Sequence, residues 1–243
     1  MRAGRAWSAL GAWSRMKWKP DYTALILSYG YVCIVLATGE LLHRAGKRPI
    51  EWTRKFIHIG VGMWVVGTVL LFKVWYYALI PPATFVILNA ISYWRGTFRA
   101  MESGERGNLG TIYFPIAFGA IIYYYWSQPV LMVASLMPMV WGDAMAALVG
   151  KRYGYYRYTV GKQIRSLEGS LAMLFWSWIS TSLALFAVPY LVGRPPINWL
   201  LALLYGGAVA LVCTLVEALT PWGLDNLTVP AVAAFVLHLL RNR

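Results

Sequence analysis

The sequence predicts an all-α integral membrane protein, a polytopic helical bundle of about seven or eight transmembrane helices, and three observations carry that prediction. Of its 243 residues, 59% are hydrophobic and only 13% are charged, whereas soluble domains carry roughly 25% charged residues. The apolar residues fall in successive runs close to the length a bilayer asks of a helix, about 20 residues. Thirteen tryptophans and sixteen tyrosines are the amphipathic rings that gather at the lipid–water boundary.

Residues 1–22 are set apart as a basic tail or interfacial helix, with Arg2, Arg5, Arg15, Lys17 and Lys19 among Trp7, Trp13 and Trp18. A transit peptide is the other reading. A cleaved signal peptide is not expected, because no apolar core precedes Pro20. Residues 23–243 then form a single transmembrane domain. Its apolar runs are Thr23–His43, Phe56–Phe72, Val74–Ile91, Gly110–Trp126, Val130–Val149, Glu168–Val188, Trp199–Leu219 and Leu227–Leu240. Pro81-Pro82 is predicted to kink the third, since proline removes a helix hydrogen bond. Several runs are short, which suits a tilted or re-entrant segment. No period of 20–50 residues recurs, so a solenoid is excluded.

An eight-span path places loops 44–55, 92–109, 150–167 and 220–226 on one face. They hold thirteen of the 22 Lys and Arg residues, and the opposite face holds nine. The positive-inside rule assigns the four loops to the cytosol, or the stroma of a plastid, with the basic N-terminus dissenting. Four polar clusters share that face in either orientation: 51–58, 102–111, 142–170 and 217–230. Seven of the nine acids lie in or beside it: Glu51, Glu102, Glu105, Asp143, Glu168, Glu217 and Asp225. One site assembled from these clusters is the expectation.

The stretch from Trp141 to Met173 organises the rest. Asp143 and Glu168 flank a basic, tyrosine-rich loop with Lys151, Arg152, Arg157, Lys162 and Arg165. An acid where a membrane helix meets a cationic loop suits an anionic substrate with a divalent metal. An intramembrane acid costs about a few kcal/mol at mid-bilayer. Asp143 is therefore either functional or the structural partner of an arginine in the next loop. Gly142, Ala146, Gly150 and Gly154 make a small-residue ridge for close helix packing or close approach of a ligand backbone. Ser166, or a residue beside it, is placed to cap the next helix and leave amides for phosphate oxygens. Glu168 in the first turn is either an acid favoured by the helix dipole, or a metal ligand or general base. Lys162 and Arg165 beside it would engage phosphates, with arginine better suited to bidentate contact.

Arg54, Lys55 and His58 sit on one entering turn, with His58 four residues after Arg54 on its face. Glu217 lies at the end of an apolar run and needs a partner there. Asp225-Asn226 either forms a turn with a helix cap or joins the site.

The net charge of +13 does not indicate nucleic acid, because the cations lie in short loops with no soluble basic domain to dock a duplex. Anionic lipid headgroups and phosphates are the expected partners. Cys33 and Cys213 fall in apolar runs and are expected as buried free thiols. No Walker-type loop, zinc spacing or dinucleotide fingerprint is present.

Four motifs occur in order: RKFIHIGVG (54–62), GTIYFPI (110–116), GDAMAALVGKRYG (142–154) with RSLEGSLAM (165–173), and VEALTPWGLDNLTVP (216–230). As a set, covering most of the chain after residue 50, they resemble the phytol kinase / dolichol kinase family of polytopic, CTP-dependent lipid-alcohol kinases, and within it the short phytol kinase-like members. The GD and EGS pair alone also resembles the CDP-diacylglycerol synthase group, which transfers a cytidylyl group. Arg165 departs from the lysine expected before SLEGS in many relatives, with charge kept.

The resemblance implies CTP-dependent phosphorylation of an isoprenoid alcohol, phytol first, with Mg²⁺ as cofactor. Asp143 and Glu168 would then bind the metal or activate the alcohol. Lys151, Arg152, Lys162, Arg165 and Ser166 would hold the nucleotide. Arg54, Lys55 and His58 would join them from the other side, with Asn108, Glu217, Asp225 and Asn226 completing the site. A cytidylyltransferase, a CTP-dependent diacylglycerol kinase and, remotely, a lipid transporter are the alternatives. A transporter should show inverted repeats, and none is visible.

Overall fold

The computed structural model describes residues 21–46, 49–95, 109–161 and 163–241. Lys162, Asn108, Glu102, Glu105 and nearly all of the basic tail lie outside the described residues. In order, the elements are α1 (Tyr22–Gly46), α2 (Ile50–Leu71), α3 (Trp75–Arg95), α4 (Gly110–Tyr125), α5 (Pro129–Met137), a π-helical segment (Pro138–Asp143) and α6 (Ala144–Tyr153). A hairpin of β1 (Arg157–Val160) and β2 (Gln163–Ser166) follows, then α7 (Leu167–Leu191), α8 (Trp199–Leu219) and α9 (Asp225–Arg241).

The chain is a helical membrane protein. Among the described residues, six rods are long and apolar enough to cross a membrane: α1, α2, α3, the continuous α5–π–α6 rod, α7 and α8. α4 and α9 stand where the fourth and eighth spans were expected, but have 16 and 17 residues. At about 1.5 Å rise per residue they reach only ~25 Å, less than the roughly 30 Å hydrocarbon core. α3 runs unbroken through Pro81 and Pro82.

The α5–π–α6 rod is the centre of the bundle. In it 72% of the apolar stretch is buried, against 17% for α1, α2 and α3. Leu131 to Val140 form a continuous core run, so this helix is apolar on every side, as a buried helix must be. Pro138 interrupts the regular ladder, because its ring has no N–H and crowds the carbonyl one turn back. The rod widens into a π segment, a feature found often at functional sites.

Small residues set the spacing between this rod and α7. A Cβ on Gly142 would meet Ser177 Oγ and Met173 Sδ, and one on Gly150 would meet Ser166 Oγ and the Gly169 backbone. The ridge read from the sequence is thus a packing seam. Gly142→Ala is expected to cost about 1–3 kcal/mol through overpacking, read as a lower melting temperature in detergent. Gly30→Ala, with open space around it, is the matched control and should not lower it.

Two expectations are corrected. The loop after α6 is not irregular connection between helices: it folds as an antiparallel hairpin pairing Arg157 with Ser166 and Val160 with Gln163. Gly161 has φ +61, the left-handed conformation that tight hairpin turns require. Cys33 is exposed, while Cys213 is buried, and both are free. α1 is an outer helix: Ala24, Val32 and Val35 pack inward, while Ile26, Leu27 and Ile34 face the surroundings with Cys33.

Candidate functional site

Three of the four polar clusters meet where α2, the π segment, the hairpin and the α8–α9 turn come together. The first turns of α2 supply Lys55, whose Nζ donates to Asp143 Oδ2 at 2.7 Å. One turn on, His58 Nε2 hydrogen-bonds the Met139 carbonyl at 2.9 Å and stands 3.7 Å from Asp143 Oδ2. A carbonyl can only accept, so Nε2 carries the proton. The His58 ring rests on Phe114, from the 110–116 run, with centroids 4.5 Å apart. The π segment thus presents both the carboxylate of Asp143 and the carbonyl of Met139 toward α2.

Arg165 closes the site from the hairpin. The alternation of β2 turns Arg165 inward and leaves Ile164 outward and exposed. Its guanidinium pairs with Glu217 near the end of α8 and lies 3.6 Å from Asp225 Oδ2 at the start of α9. It also donates to the Thr220 carbonyl at 2.8 Å, one of the acceptors a helix end leaves unpaired. Asp225 gains from the dipole of the helix it begins, whereas Glu217 sits at the unfavourable end of its own. Arg165 offsets that penalty.

Oxygens of Asp143, Glu217 and Asp225 all lie within 4.8 Å of one another. Among the described residues, three carboxylates are matched by two direct cations, Lys55 and Arg165, and these five side chains are 17% exposed or less. Burial makes the uncompensated charge costly. The donor set is all oxygen, which suits a hard divalent cation. Asn226 adds a further donor. Its amide nitrogen is used by the Gly223 carbonyl and Asp225, while its Oδ1 is buried without a partner.

The remaining expected residues lie around this core. Ser166 is the α7 cap, accepting from the Gly169 N–H at 3.1 Å. Glu168 is not one of the three clustered carboxylates. Its Oε1 accepts from the Tyr156 N–H at 3.1 Å and its Oε2 has no hydrogen-bond partner. Arg54 lies 3.7 Å from Glu51, and Lys151 bridges back to the same carboxylate at 3.5 Å. Arg152 packs over the Tyr153 ring, 5.3 Å from its centroid. Sequence reasoning missed Met139, Thr220 and Phe114, two of which act through backbone carbonyls that no side-chain pattern reveals. Pro138 was the available signal for the first.

No family model matches the chain, and no solved structure matches it. Curated relatives do. A phytol kinase from Synechocystis sp. is 32% identical over 219 residues, covering 89% of this chain and 91% of the relative. A chloroplastic farnesol kinase from Arabidopsis thaliana is 27% identical, covering 53% of this chain and 46% of the relative. A CTP-dependent diacylglycerol kinase from Schizosaccharomyces pombe is 30% identical, covering 57% and 63%.

Proposed function

The chain belongs to the phytol kinase family of lipid-alcohol kinases, and from that premise we propose that it transfers the γ-phosphoryl group of CTP to phytol or a related prenol, releasing CDP. The carrying observation is the triad Asp143, Glu217 and Asp225, gripped by Lys55 and Arg165. Phosphoryl transfer asks a protein for positioning and charge neutralisation more than covalent chemistry, and this cluster supplies both.

Asp143, Glu217 and Asp225, with Asn226 Oδ1, are the residues that would hold Mg²⁺. The metal would neutralise charge on the phosphoryl oxygens. Lys55 and Arg165, which now compensate the carboxylates, would share their donors with the incoming phosphates. Lys151 and Arg152, exposed on the last turn of α6, would add cations for the triphosphate. Asp143 would also accept a hydrogen bond from the substrate hydroxyl, and His58 fixes the π segment that aims it. Glu168 holds the hairpin entry at Tyr156 with one oxygen and offers the other to the nucleotide–metal complex. The cation-rich loops support a cytosolic or stromal orientation for this face, where CTP is dissolved and the prenol tail stays in lipid.

The purified protein in detergent, given Mg²⁺, γ-labelled CTP or ATP, and phytol, farnesol, geranylgeraniol or diacylglycerol, tests this. Label should pass from CTP to a prenol, stop on chelation with EDTA and return with added Mg²⁺. Preference for diacylglycerol would shift the substrate toward that of the S. pombe relative. Label released as pyrophosphate would replace the kinase reading with cytidylyl transfer.

A further inference from the structure

The face opposite the carboxylate cluster carries a separate feature. Three loops meet there, after α2, after α4 and after α7, around an open cleft of about 450 Å³. Val69, Phe72 and Met132 back it, the last two buried. Its polar groups are Lys73, Arg194 and Ser127, with Trp126 beside them, and among the described residues no acid lines it. The nearby carboxylate, Asp21, is already used: it accepts from the backbone N–H groups of Lys73 and Val74 at 3.0 and 2.9 Å and is buried. Two exposed cations therefore face one cleft that no carboxylate of the described residues lines. Tryptophan at this level is the ring type that settles in the headgroup layer.

We propose that this cleft binds the phosphate of an anionic phospholipid, with Lys73 and Arg194 on the phosphate and the acyl chains left in the surrounding lipid. Charge and position commit it to a lipid. The cleft lies at the helix ends, where headgroups sit, and it sets two cations beside a tryptophan of the interfacial kind. Two cations converging in a walled cleft add selectivity over simple surface attraction. The site is independent of the kinase reading, since none of its residues belongs to the carboxylate cluster.

The test is native mass spectrometry and thermal unfolding of the detergent-purified full chain, titrated with phosphatidylglycerol, phosphatidylcholine or inorganic phosphate. Phosphatidylglycerol should bind and raise the melting temperature, with neither effect from phosphatidylcholine or inorganic phosphate. Lys73→Gln with Arg194→Gln should weaken phosphatidylglycerol binding about tenfold and leave turnover in neutral detergent unchanged. The backbone bonds to Asp21 survive this change, so the fold is kept. Arg44→Gln, an exposed cation paired with Glu40 on the other face, is the control for the chain's general positive charge. Equal weakening by Arg44→Gln, equal response to phosphatidylcholine or inorganic phosphate, or unchanged binding in the double variant would each overturn the proposal.

Discussion

Asp143→Asn is expected to lower kcat on the order of a thousandfold or more while the protein still inserts and folds. The substitution keeps the shape of the side chain and removes only its charge. Asp143 links both halves of the site: Lys55 bonds it from α2, and its oxygen lies within 4.8 Å of Glu217 and Asp225 oxygens from α8 and α9. Removing one of three clustered carboxylates lowers affinity for a hard cation, which gains most from anionic oxygen ligands. It also leaves Lys55, 17% exposed, facing a neutral amide, a loss of about 1–3 kcal/mol for a largely buried charged hydrogen bond. The two effects separate experimentally. Raising Mg²⁺ should recover part of the activity if metal affinity is what was lost, whereas the fall in melting temperature should not respond to Mg²⁺. Wild-type turnover in well-expressed Asp143→Asn protein would remove the cluster from the chemistry.

Much of this architecture was legible because the bilayer imposes simple rules. Apolar runs located all eight rods to within a few residues at most ends, since an unpaired backbone group in lipid is too costly to permit anything but helix there. The convergence of residues 51–58, 142–170 and 217–226 followed from counting alternating loops. What composition could not supply was the interior of those rods and loops. Pro138 reads as a helix breaker, yet in a rod packed on all sides the chain stays wound and inserts a π turn. The hairpin was visible in principle, as the β-favouring Tyr158-Thr159-Val160 is followed by Gly161 at the turn. The membrane pattern on both sides of it hid the signal. Glu168 and Glu217 show the same limit. Both are acids at helix ends, and only the direction of α7 and α8 decides that Glu217 joins Asp143 while Glu168 turns to the Tyr156 backbone.

Arg165→Gln is the second large effect, expected to destabilise the protein by about 3–5 kcal/mol and to abolish turnover. Its guanidinium is 15% exposed and Glu217 is 6% exposed, so removing the cation strands buried negative charge, the costly half of any buried ion pair. The fixed fork of arginine reaches Glu217, Asp225 and the Thr220 carbonyl together. Lysine is a point charge without that planar fork. Arg165→Lys should therefore keep most of the stability but raise the KM for the nucleotide, because one ammonium cannot hold two carboxylates and still meet a phosphate. The double variant Arg165→Gln with Glu217→Gln isolates the structural share of the effect. Two neutral partners relieve the stranded charge, so the melting temperature should recover toward wild type while turnover stays lost. If activity returned together with stability, Arg165 would be only a strut between the hairpin and the α8–α9 turn. If the single Arg165→Gln variant melted like wild type, the pairing with Glu217 would not hold the site together at all.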